Sequence, residues 1–393
     1  MPSHPRLKIA LIGTRGVPAS YGGFETCAEE LGRRLVERGH EVIVYCRKSY
    51  YETRQADHLG MKLVYLPNLR KKSLDTLSHT FLSTLHALRH PYDVLMVFNA
   101  ANSPALLLPR LFGKKIAINT DGLEWKRGKW GLLGRRYYKF AEWLSTKLAD
   151  RIVADSRGIQ DYYRESYGAE SSNIAYGAEI VTAGDPELLD RIGLQPSGYF
   201  LQITRFEPEN NPLLTIQAYK KLSTDKKLVL VGGVPYQSDY SRALAAEAAA
   251  CPGVVLPGFI YDKALLNALW CNCHAYVHGN EVGGTNPALL QTMASGCFTI
   301  AIDVPFSRDV LQDGGIYFRK DAEDLAAHMQ WSLDHHDELP RFRSKAVRRI
   351  ASEYTWEKVA DGYEELFYQL ASGRIGVSAG ICSTRAACST RLP

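Results

Sequence analysis

The sequence lacks a long apolar run. None of its 393 residues lies in an apolar stretch that approaches the ~20 residues of a membrane-spanning helix. The N-terminal segment, residues 1–6, leads into a short strand-like segment rather than into the apolar region of a secretory signal. With 46% hydrophobic and 23% charged residues, the chain can bury large cores, and its length favours two domains in a cytoplasmic protein.

Cysteines at paired spacing are also lacking, apart from one cluster. The eight cysteines are scattered, and only Cys271 and Cys273, followed by His274, stand close together. A disulfide framework is therefore not expected. No second cysteine or histidine pair stands at the spacing of a zinc site, and the cluster falls between a predicted helix and a predicted strand. We expect no metal site.

Acidic residues are scarce in one basic stretch. Between Arg110 and Phe140, nine lysines and arginines stand against only Asp121 and Glu124, and tryptophans and tyrosines lie among them. Such a face could rest on an anionic lipid surface, with aromatic rings at headgroup level. A solvated helix face with buried aromatics is the alternative. Nucleic acid is not expected as a partner, because no recognition motif accompanies the basic residues.

The most informative segment is a glycine-rich turn at residues 283–287, Gly-Gly-Thr-Asn-Pro. The glycines let a ligand approach the backbone, Thr285 or Asn286 can cap a helix, and Pro287 suits the first helical position. A helix that begins in this way offers free N–H groups and a positive dipole end to an anion such as phosphate. An ordinary strand-to-helix turn is the alternative.

A second glycine-rich turn follows the first predicted strand, residues 7–12. The loop at 13–25 contains Gly22 and Gly23, and a helix with apolar residues at helical spacing ends at Gly39. The next strand is predicted at 42–45. This βαβ opening lacks the G-x-G-x-x-G spacing of a dinucleotide site, so we do not expect a dinucleotide cofactor.

Strand and helix patterns alternate along both halves of the chain. The predicted strands are residues 7–12, 42–45, 63–66, 94–98, 115–119 and 151–154 in the first half, and 199–204, 227–231, 254–256, 275–277 and 299–302 in the second. This alternation predicts an α/β protein with two doubly wound, Rossmann-like domains that face a cleft. The expected bounds are 1–175 and 176–353, with a C-terminal helix at 354–371 that braces the first domain and a disordered tail at 372–393.

These motifs resemble the glycosyltransferases of the GT-B fold, in particular family 4, over nearly the whole chain. The likeness rests on Gly22-Gly23, on Arg-Phe-Glu-Pro-Glu-Asn-Asn-Pro at 205–212 and on the turn at 283–287. Together with Gly-Thr-Arg-Gly-Val-Pro at 13–18 and Asp-Gly-Leu-Glu-Trp-Lys-Arg at 121–127, it is similar more narrowly to bacterial rhamnosyltransferases of capsule and exopolysaccharide assembly.

The resemblance implies a metal-independent, retaining hexosyltransferase without a cofactor. The C-terminal domain would hold a nucleoside diphosphate sugar, with dTDP-L-rhamnose the best guess. The N-terminal domain would hold a lipid-linked or polysaccharide acceptor, in the cytoplasm or at the inner face of the plasma membrane. Two other functions stay open: a sugar-nucleotide epimerase of the same architecture, and a noncatalytic subunit that binds nucleotide sugars.

The resemblance also implies a set of donor-binding residues. Arg205 would act in catalysis by neutralising the leaving diphosphate through its planar guanidinium. Members of the family usually carry a lysine five residues later, where this chain has Asn210. The implied donor-binding residues are Gly22, Gly23, Arg205, Asn210, Glu281, Gly283, Gly284, Thr285, Asn286 and Gln291.

Two glutamates of the family motif are replaced in this chain. One would lie near the donor sugar and the other on the ribose hydroxyls, and the alignment puts Gly283 and Gln291 at these positions. Gln291 can still accept a hydrogen bond from a ribose hydroxyl, but more weakly than a carboxylate. Glu281 could supply a carboxylate near the sugar, or it could be an exposed loop residue.

The resemblance places the acceptor beside residues 121–127. Asp121 would be catalytic, either orienting a sugar hydroxyl or stabilising positive charge at the anomeric carbon, and an Asp-Gly turn is the alternative. Glu124, Lys126 and Arg127 would contact the acceptor. Retaining enzymes of this fold generally show no protein nucleophile, so the resemblance implies that the leaving phosphate itself helps to deprotonate the acceptor hydroxyl.

Overall fold

The computed structural model describes residues 5–19, 22–70, 74–120, 122–128, 130–234 and 236–373. Two parallel sheets flanked by helices make up these residues. The strands of the first sheet are β1 Lys8–Ile12, β2 Glu41–Arg47, β3 Asp57–His58, β4 Met61–Leu66, β5 Val94–Phe98, β6 Ile116–Asn119, β7 Arg151–Ala154 and β8 Ser172–Asn173. Those of the second are β9 Tyr199–Arg205, β10 Lys227–Gly233, β11 Val254–Gly258, β12 Ala275–His278, β13 Thr299–Ile302 and β14 Gly315–Phe318.

Helices connect most of these strands. Those of the first half are α1 Gly23–Glu37, α2 Asp75–Ala87, α3 Leu107–Leu111, α4 Leu132–Leu148 and α5 Arg157–Tyr167. Those of the second half are α6 Pro212–Tyr219, α7 Asp239–Ala249, α8 Lys263–Asn272, α9 Pro287–Ala294, α10 Pro305–Leu311, α11 Ala322–Asp334, α12 Leu339–Glu353 and α13 Trp356–Ala371. No helix in the described part of the chain has both the length and the apolar character needed to cross a membrane.

Both sheets are doubly wound. The strand order is β3-β4-β2-β1-β5-β6-β7-β8 in the first and β11-β10-β9-β12-β13-β14 in the second. Among the strands of the described residues, only the short β3 runs antiparallel to its neighbour. The order reverses between β1 and β5 and between β9 and β12, and ligands of such sheets bind at the carboxyl ends of the strands near these points. The predicted α/β fold with two Rossmann-like sheets is confirmed.

The strand sequences explain why both faces of each sheet are covered. Every residue of β5, Val-Leu-Met-Val-Phe, is buried, and so is every residue of β13, Thr-Ile-Ala-Ile. Near-continuous apolar strands of this kind are typical of parallel sheets with helices on both faces. The helices therefore leave only the ends of the strands free to form a site.

The last helix, α13, packs on the first sheet and on α1. Arg34 pairs with Glu357 at 2.7 Å, and Arg38 pairs with Glu364 at 2.7 Å. Within the core, the amide of Asn119 donates to the hydroxyl of Tyr363 at 2.9 Å. These contacts agree with a bracing role for this helix, while the domain bounds themselves stay a prediction. The sequence predicts a disordered tail at 372–393. Residues 374–393 of this tail lie outside the described residues.

Shortening an apolar side chain of α13 should therefore destabilise the whole protein. Phe367 is fully buried in the cluster that joins α13 to the first sheet. We expect Phe367→Ala to lower the free energy of unfolding by about 3–4 kcal/mol, because it leaves a cavity. Urea unfolding measures the change. The control Glu365→Ala, on the exposed side of the same helix, should change it by less than about 0.5 kcal/mol; an equal loss in both variants would contradict the prediction.

Candidate active site

The first turns of α1 and α9 meet at the carboxyl ends of the two sheets. Gly22, with φ 118°, precedes α1, and a methyl group on Gly23 would come within 3.1 Å of Cγ of Pro287 at the start of α9. Both helices therefore direct their N-terminal ends toward the same place. The positive ends of two helix dipoles and their free N–H groups make this junction attractive to an anion.

The start of α9 follows the pattern predicted for residues 283–287. Asn286 is the capping residue, and its Oδ1 accepts from the backbone N–H groups of Ala288 at 2.9 Å and Leu289 at 3.4 Å. Pro287 occupies the first helical position, as expected. Thr285 has a different contact, since its hydroxyl donates to the backbone carbonyl of Asp155 at the end of β7.

The glycine pair touches the first sheet directly. A methyl group on Gly122 would lie 2.6 Å from Cα of Gly283. A methyl group on Gly284 would clash with the carboxylate of Asp155. Asp155 is a site residue that the sequence reasoning missed, although a polar residue directly after a buried strand was a usable signal. The two sheets thus meet through backbone contacts at the cleft.

Adding a methyl group at Gly284 should hold the two sheets apart. We expect Gly284→Ala to enlarge the radius of gyration measured by small-angle X-ray scattering, because its Cβ meets the Asp155 carboxylate. Removing that carboxylate in the same chain with Asp155→Ala should restore the wild-type radius. Gly131→Ala is the matched control, since a Cβ at Gly131 meets nothing within 4 Å. An unchanged radius in Gly284→Ala would contradict the predicted separation and would mean that the Asp155 side chain moves aside.

Arg205 lies at the carboxyl end of the second sheet, and its predicted role at the diphosphate stays a prediction. It ends β9, half-buried, and no described residue forms an ion pair or hydrogen bond with its guanidinium. Next to it, Tyr236 donates to Glu207. Burial raises the pKa of Tyr236 to about 12, with the Glu207 hydrogen bond adding to the effect and Arg205 opposing it. Arg205 is thus available to an incoming anion.

Asn210 and Glu281 have contacts within the protein. The Asn210 amide is buried and donates to the backbone carbonyl of Arg205 at 2.9 Å, so it fixes the loop that carries the arginine. The Glu281 carboxylate accepts from Asn211 at 2.6 Å and pairs with Lys320 at 2.6 Å. It is half-buried rather than an exposed loop residue. For both residues a contact with the donor stays a prediction.

Gln291 is engaged through one of its two polar atoms. Its Nε2 donates to the backbone carbonyl of Glu179 at 3.1 Å and to the hydroxyl of Ser295 at 3.4 Å. Its Oε1 remains as an acceptor for a ligand hydroxyl. Gln291 could therefore accept a hydrogen bond from a ribose hydroxyl, and this contact stays a prediction.

The three predicted acceptor residues follow Gly122, which packs on Gly283, and their contact with an acceptor stays a prediction. Glu124 and Arg127 form an ion pair with each other, and both side chains are 11% exposed. Lys126 places its Nζ 5.5 Å from the ring centre of Trp125. The catalytic prediction for Asp121 lies outside the described residues.

A buried histidine was also missed by the sequence reasoning. His278 ends β12, is 3% exposed, and its Nδ1 has no hydrogen-bond partner among the described residues. Burial lowers its pKa to about 4, so the imidazole is neutral at pH 7. It lines a small cavity with Asn280, Gly283, Gly284, Asn286, Phe306 and Ser307, among others. The described residues contain no cluster of three or more histidine, cysteine, aspartate or glutamate side chains that could hold a metal ion.

The fold, with a cleft between two Rossmann-like sheets, is the one found in GT-B glycosyltransferases. The structure is similar to the sucrose-phosphate synthase of Thermosynechococcus elongatus, with a TM-score of 0.80, 18% identity, and coverage of 94% of this chain and 100% of that chain. It is also similar to Anabaena HepE in complex with UDP, with a TM-score of 0.74, 15% identity, and coverage of 92% and 99%.

Sequence comparison relates the chain to the glycosyltransferases of group 1. Residues 190–349 match the family "Glycosyl transferases group 1", and residues 107–179 match a domain of unknown function, DUF1972. These two segments include β9 to β14 and the α3–α5 region, respectively. The second match therefore covers the predicted acceptor segment without assigning a role to it.

Two curated relatives carry named activities. The N-acetylgalactosamine-N,N'-diacetylbacillosaminyl-diphospho-undecaprenol 4-alpha-N-acetylgalactosaminyltransferase of Campylobacter jejuni is 27% identical over 54% of this chain and 58% of its own length. The O-antigen chain mannosyltransferase RfbU of Salmonella typhimurium is 23% identical over 48% and 52%. The chain thus spans about half the length of these relatives.

Proposed function

We propose that this protein transfers a hexose from a nucleoside diphosphate sugar to a lipid-linked or polysaccharide acceptor in cell-surface glycan synthesis. The observation that carries the proposal is the contact between two helix starts and a glycine pair at the carboxyl ends of both sheets. Arg205, which has no partner among the described residues, ends β9, the neighbour of the strand that leads into the glycine pair. We assign the protein to family 4 and its rhamnosyltransferase-like subgroup, with dTDP-L-rhamnose as the first donor to test.

Electrostatics explains how such a site would promote transfer. As the bond between the anomeric carbon and the diphosphate breaks, negative charge accumulates on the leaving group. Arg205 offers a fork of N–H donors to that charge, and the N-terminal ends of α1 and α9 add oriented backbone N–H groups. These groups are fixed before the reaction, so they stabilise the transition state without further reorganisation. This arrangement needs no metal ion.

The acceptor would lie against residues 122–128. Gly122 contacts the glycine pair, which brings this segment next to the donor. The pairing of Glu124 with Arg127 leaves neither charge isolated, so these side chains suit hydrogen bonding to acceptor hydroxyls better than proton transfer. We propose transfer with retention, in which the leaving phosphate accepts the proton of the acceptor hydroxyl.

An exposed surface on α3 and α4 supports a membrane-borne acceptor. Its exposed apolar side chains are Leu107, Leu111, Phe112, Leu132, Leu133, Phe140 and Trp143. Exposed cations on α4 are Arg135, Arg136, Lys139 and Lys147. The segment before α3 packs on α4, since Tyr137 donates to the carbonyl of Ala101 at 2.7 Å. We propose that this α3–α4 surface binds anionic lipid, with apolar groups in the interface and cations on phosphates.

Assaying donors directly tests the transferase proposal. Purified protein is incubated with membranes that carry polyprenyl-diphosphate oligosaccharides and with UDP, GDP and dTDP sugars, including dTDP-L-rhamnose, and the lipid fraction is analysed by mass spectrometry. A gain of one deoxyhexose supports the rhamnosyltransferase assignment, and a gain of another sugar keeps the transferase and changes the donor. Epimerised donor without transfer, or donor binding without any product, contradicts the proposal.

Removing the Arg205 guanidinium should then lower activity with the identified donor. We expect Arg205→Ala to reduce kcat/KM by about 100-fold or more, because the leaving diphosphate loses a charged partner. Arg242→Ala is the matched control, since that arginine is exposed on α7 and pairs with the exposed Asp239 of the same helix. Equal activity of Arg205→Ala and the control would show that the site has been placed wrongly.

The α3–α4 surface makes a separate prediction about membranes. We expect Phe140→Ser with Trp143→Ser to weaken binding to phosphatidylglycerol vesicles by about tenfold, because two interfacial aromatic rings are lost. Vesicle sedimentation measures the binding. Leu59→Ser, which removes a 48% exposed apolar side chain elsewhere, should leave it unchanged. Equally strong binding to phosphatidylcholine vesicles, or no loss in the double variant, would argue against this surface.

A further inference from the structure

The imidazole of His278 is a buried polar group that the proposed reaction has not used. It lies at the carboxyl end of β12, the strand next to the one that ends in Arg205. Its ring packs on Tyr276 with 6.4 Å between ring centres, and its Nδ1 has no partner among the described residues. Buried polar atoms are nearly always hydrogen-bonded, since leaving one unpaired costs free energy. This ring nitrogen is therefore suited to a partner outside the protein.

The surroundings of the ring indicate where that partner would lie. His278 lines a small cavity together with Gly283 and Gly284, the pair that opens α9. A Cβ built on Gly283 meets nothing within 4 Å, so there is space beside this glycine. Asn280 and Ser307 add polar side chains to the same cavity. A polar group of a ligand that reaches the glycine pair can thus approach the histidine.

The chemistry of the ring limits what that group can be. Because burial lowers the pKa of His278 to about 4, the ring is neutral at pH 5–8 and carries one N–H donor and one acceptor nitrogen. A hydroxyl, which can both donate and accept, matches either nitrogen. A diphosphate oxygen only accepts and is better matched by the permanent charge of Arg205.

We propose that His278 is a specificity-determining residue that hydrogen-bonds a hydroxyl of the donor sugar. The assignment rests on the proposed function, since it requires a nucleotide sugar in the cleft. Different groups would then bind the two parts of the donor. Arg205 and the helix starts bind the diphosphate, and His278 distinguishes a nucleoside diphosphate that carries a sugar from one that does not.

Binding of matched ligand pairs tests the assignment. Calorimetry compares UDP with UDP-N-acetylgalactosamine, GDP with GDP-mannose, and dTDP with dTDP-L-rhamnose, on the wild-type protein, His278→Phe and His278→Gln. Phenylalanine keeps an aromatic ring without nitrogen atoms, whereas glutamine keeps one donor group and one acceptor. For the pair that the wild type binds, we expect His278→Phe to reduce the preference for the sugar-bearing ligand by about tenfold, the effect of one lost hydrogen bond. Glutamine should restore part of this preference.

The outcomes separate the assignment from the function on which it rests. Binding of no pair by the wild type overturns both. If the wild type binds a pair and His278→Phe shows the same preference for the sugar-bearing ligand, only the assignment is overturned. The ring nitrogen would then bind water instead. An equal loss of affinity for both members of the pair in His278→Phe also overturns it, because the ring would then only shape the site.

A measurement on the wild-type protein does not depend on the folding of the phenylalanine variant. The protein is labelled with ¹⁵N-histidine, and the ring signals of His278 are assigned by their absence in His278→Gln. We expect the Nδ1 resonance to shift when the sugar nucleotide binds and not when the matching nucleoside diphosphate binds. The same response to both ligands would overturn the assignment.

Discussion

Close backbone contact between the two sheets is the constraint on which the rest of the site depends. Glycine occupies one side of each contact: Gly23 faces Pro287, Gly122 faces Gly283, and Gly284 faces Asp155. A side chain at Gly23, Gly122 or Gly284 would need the sheets to separate or the neighbour to move. Because the contacts involve so little side-chain volume, the starts of α1 and α9 lie close enough to act on one anion.

Arg205 differs from the charged residues around the cleft in its ion pairing. Glu124 pairs with Arg127, and Glu281 is held between Asn211 and Lys320. Arg205 lacks such a partner among the described residues. A cation that is half-buried and unpaired keeps its attraction for an anionic ligand, whereas an exposed charge would be screened by solvent. The arrangement therefore directs negative charge to the end of β9.

The fold could be predicted from the sequence because alternating strand and helix patterns are local signals. The start of α9 was predictable for the same reason, since Asn286 and Pro287 act on the turn that follows them. Contacts between distant segments could not be predicted in this way. The pairing of Glu281 with Lys320 and the contact of Thr285 with Asp155 exist only after the sheets have assembled. A single histidine at a strand end, such as His278, has no local pattern that separates a ligand contact from ordinary packing.

The two passages of the chain between the sheets lie side by side. Ala178, on the first passage, donates its N–H to the carbonyl of Tyr354 at 2.8 Å, on the second passage. Trp356, the first residue of α13, packs against Gly177, where a methyl group would lie 2.7 Å from the indole. A buried aromatic residue thus connects the two passages, and at the cleft Phe306 of α10 packs against Gly158 of α5 beside the glycine contacts. A change at Trp356 would therefore act on the packing of these two passages, whereas a side chain added at Gly23 or Gly284 would act on the spacing of the helix starts that would bind the diphosphate.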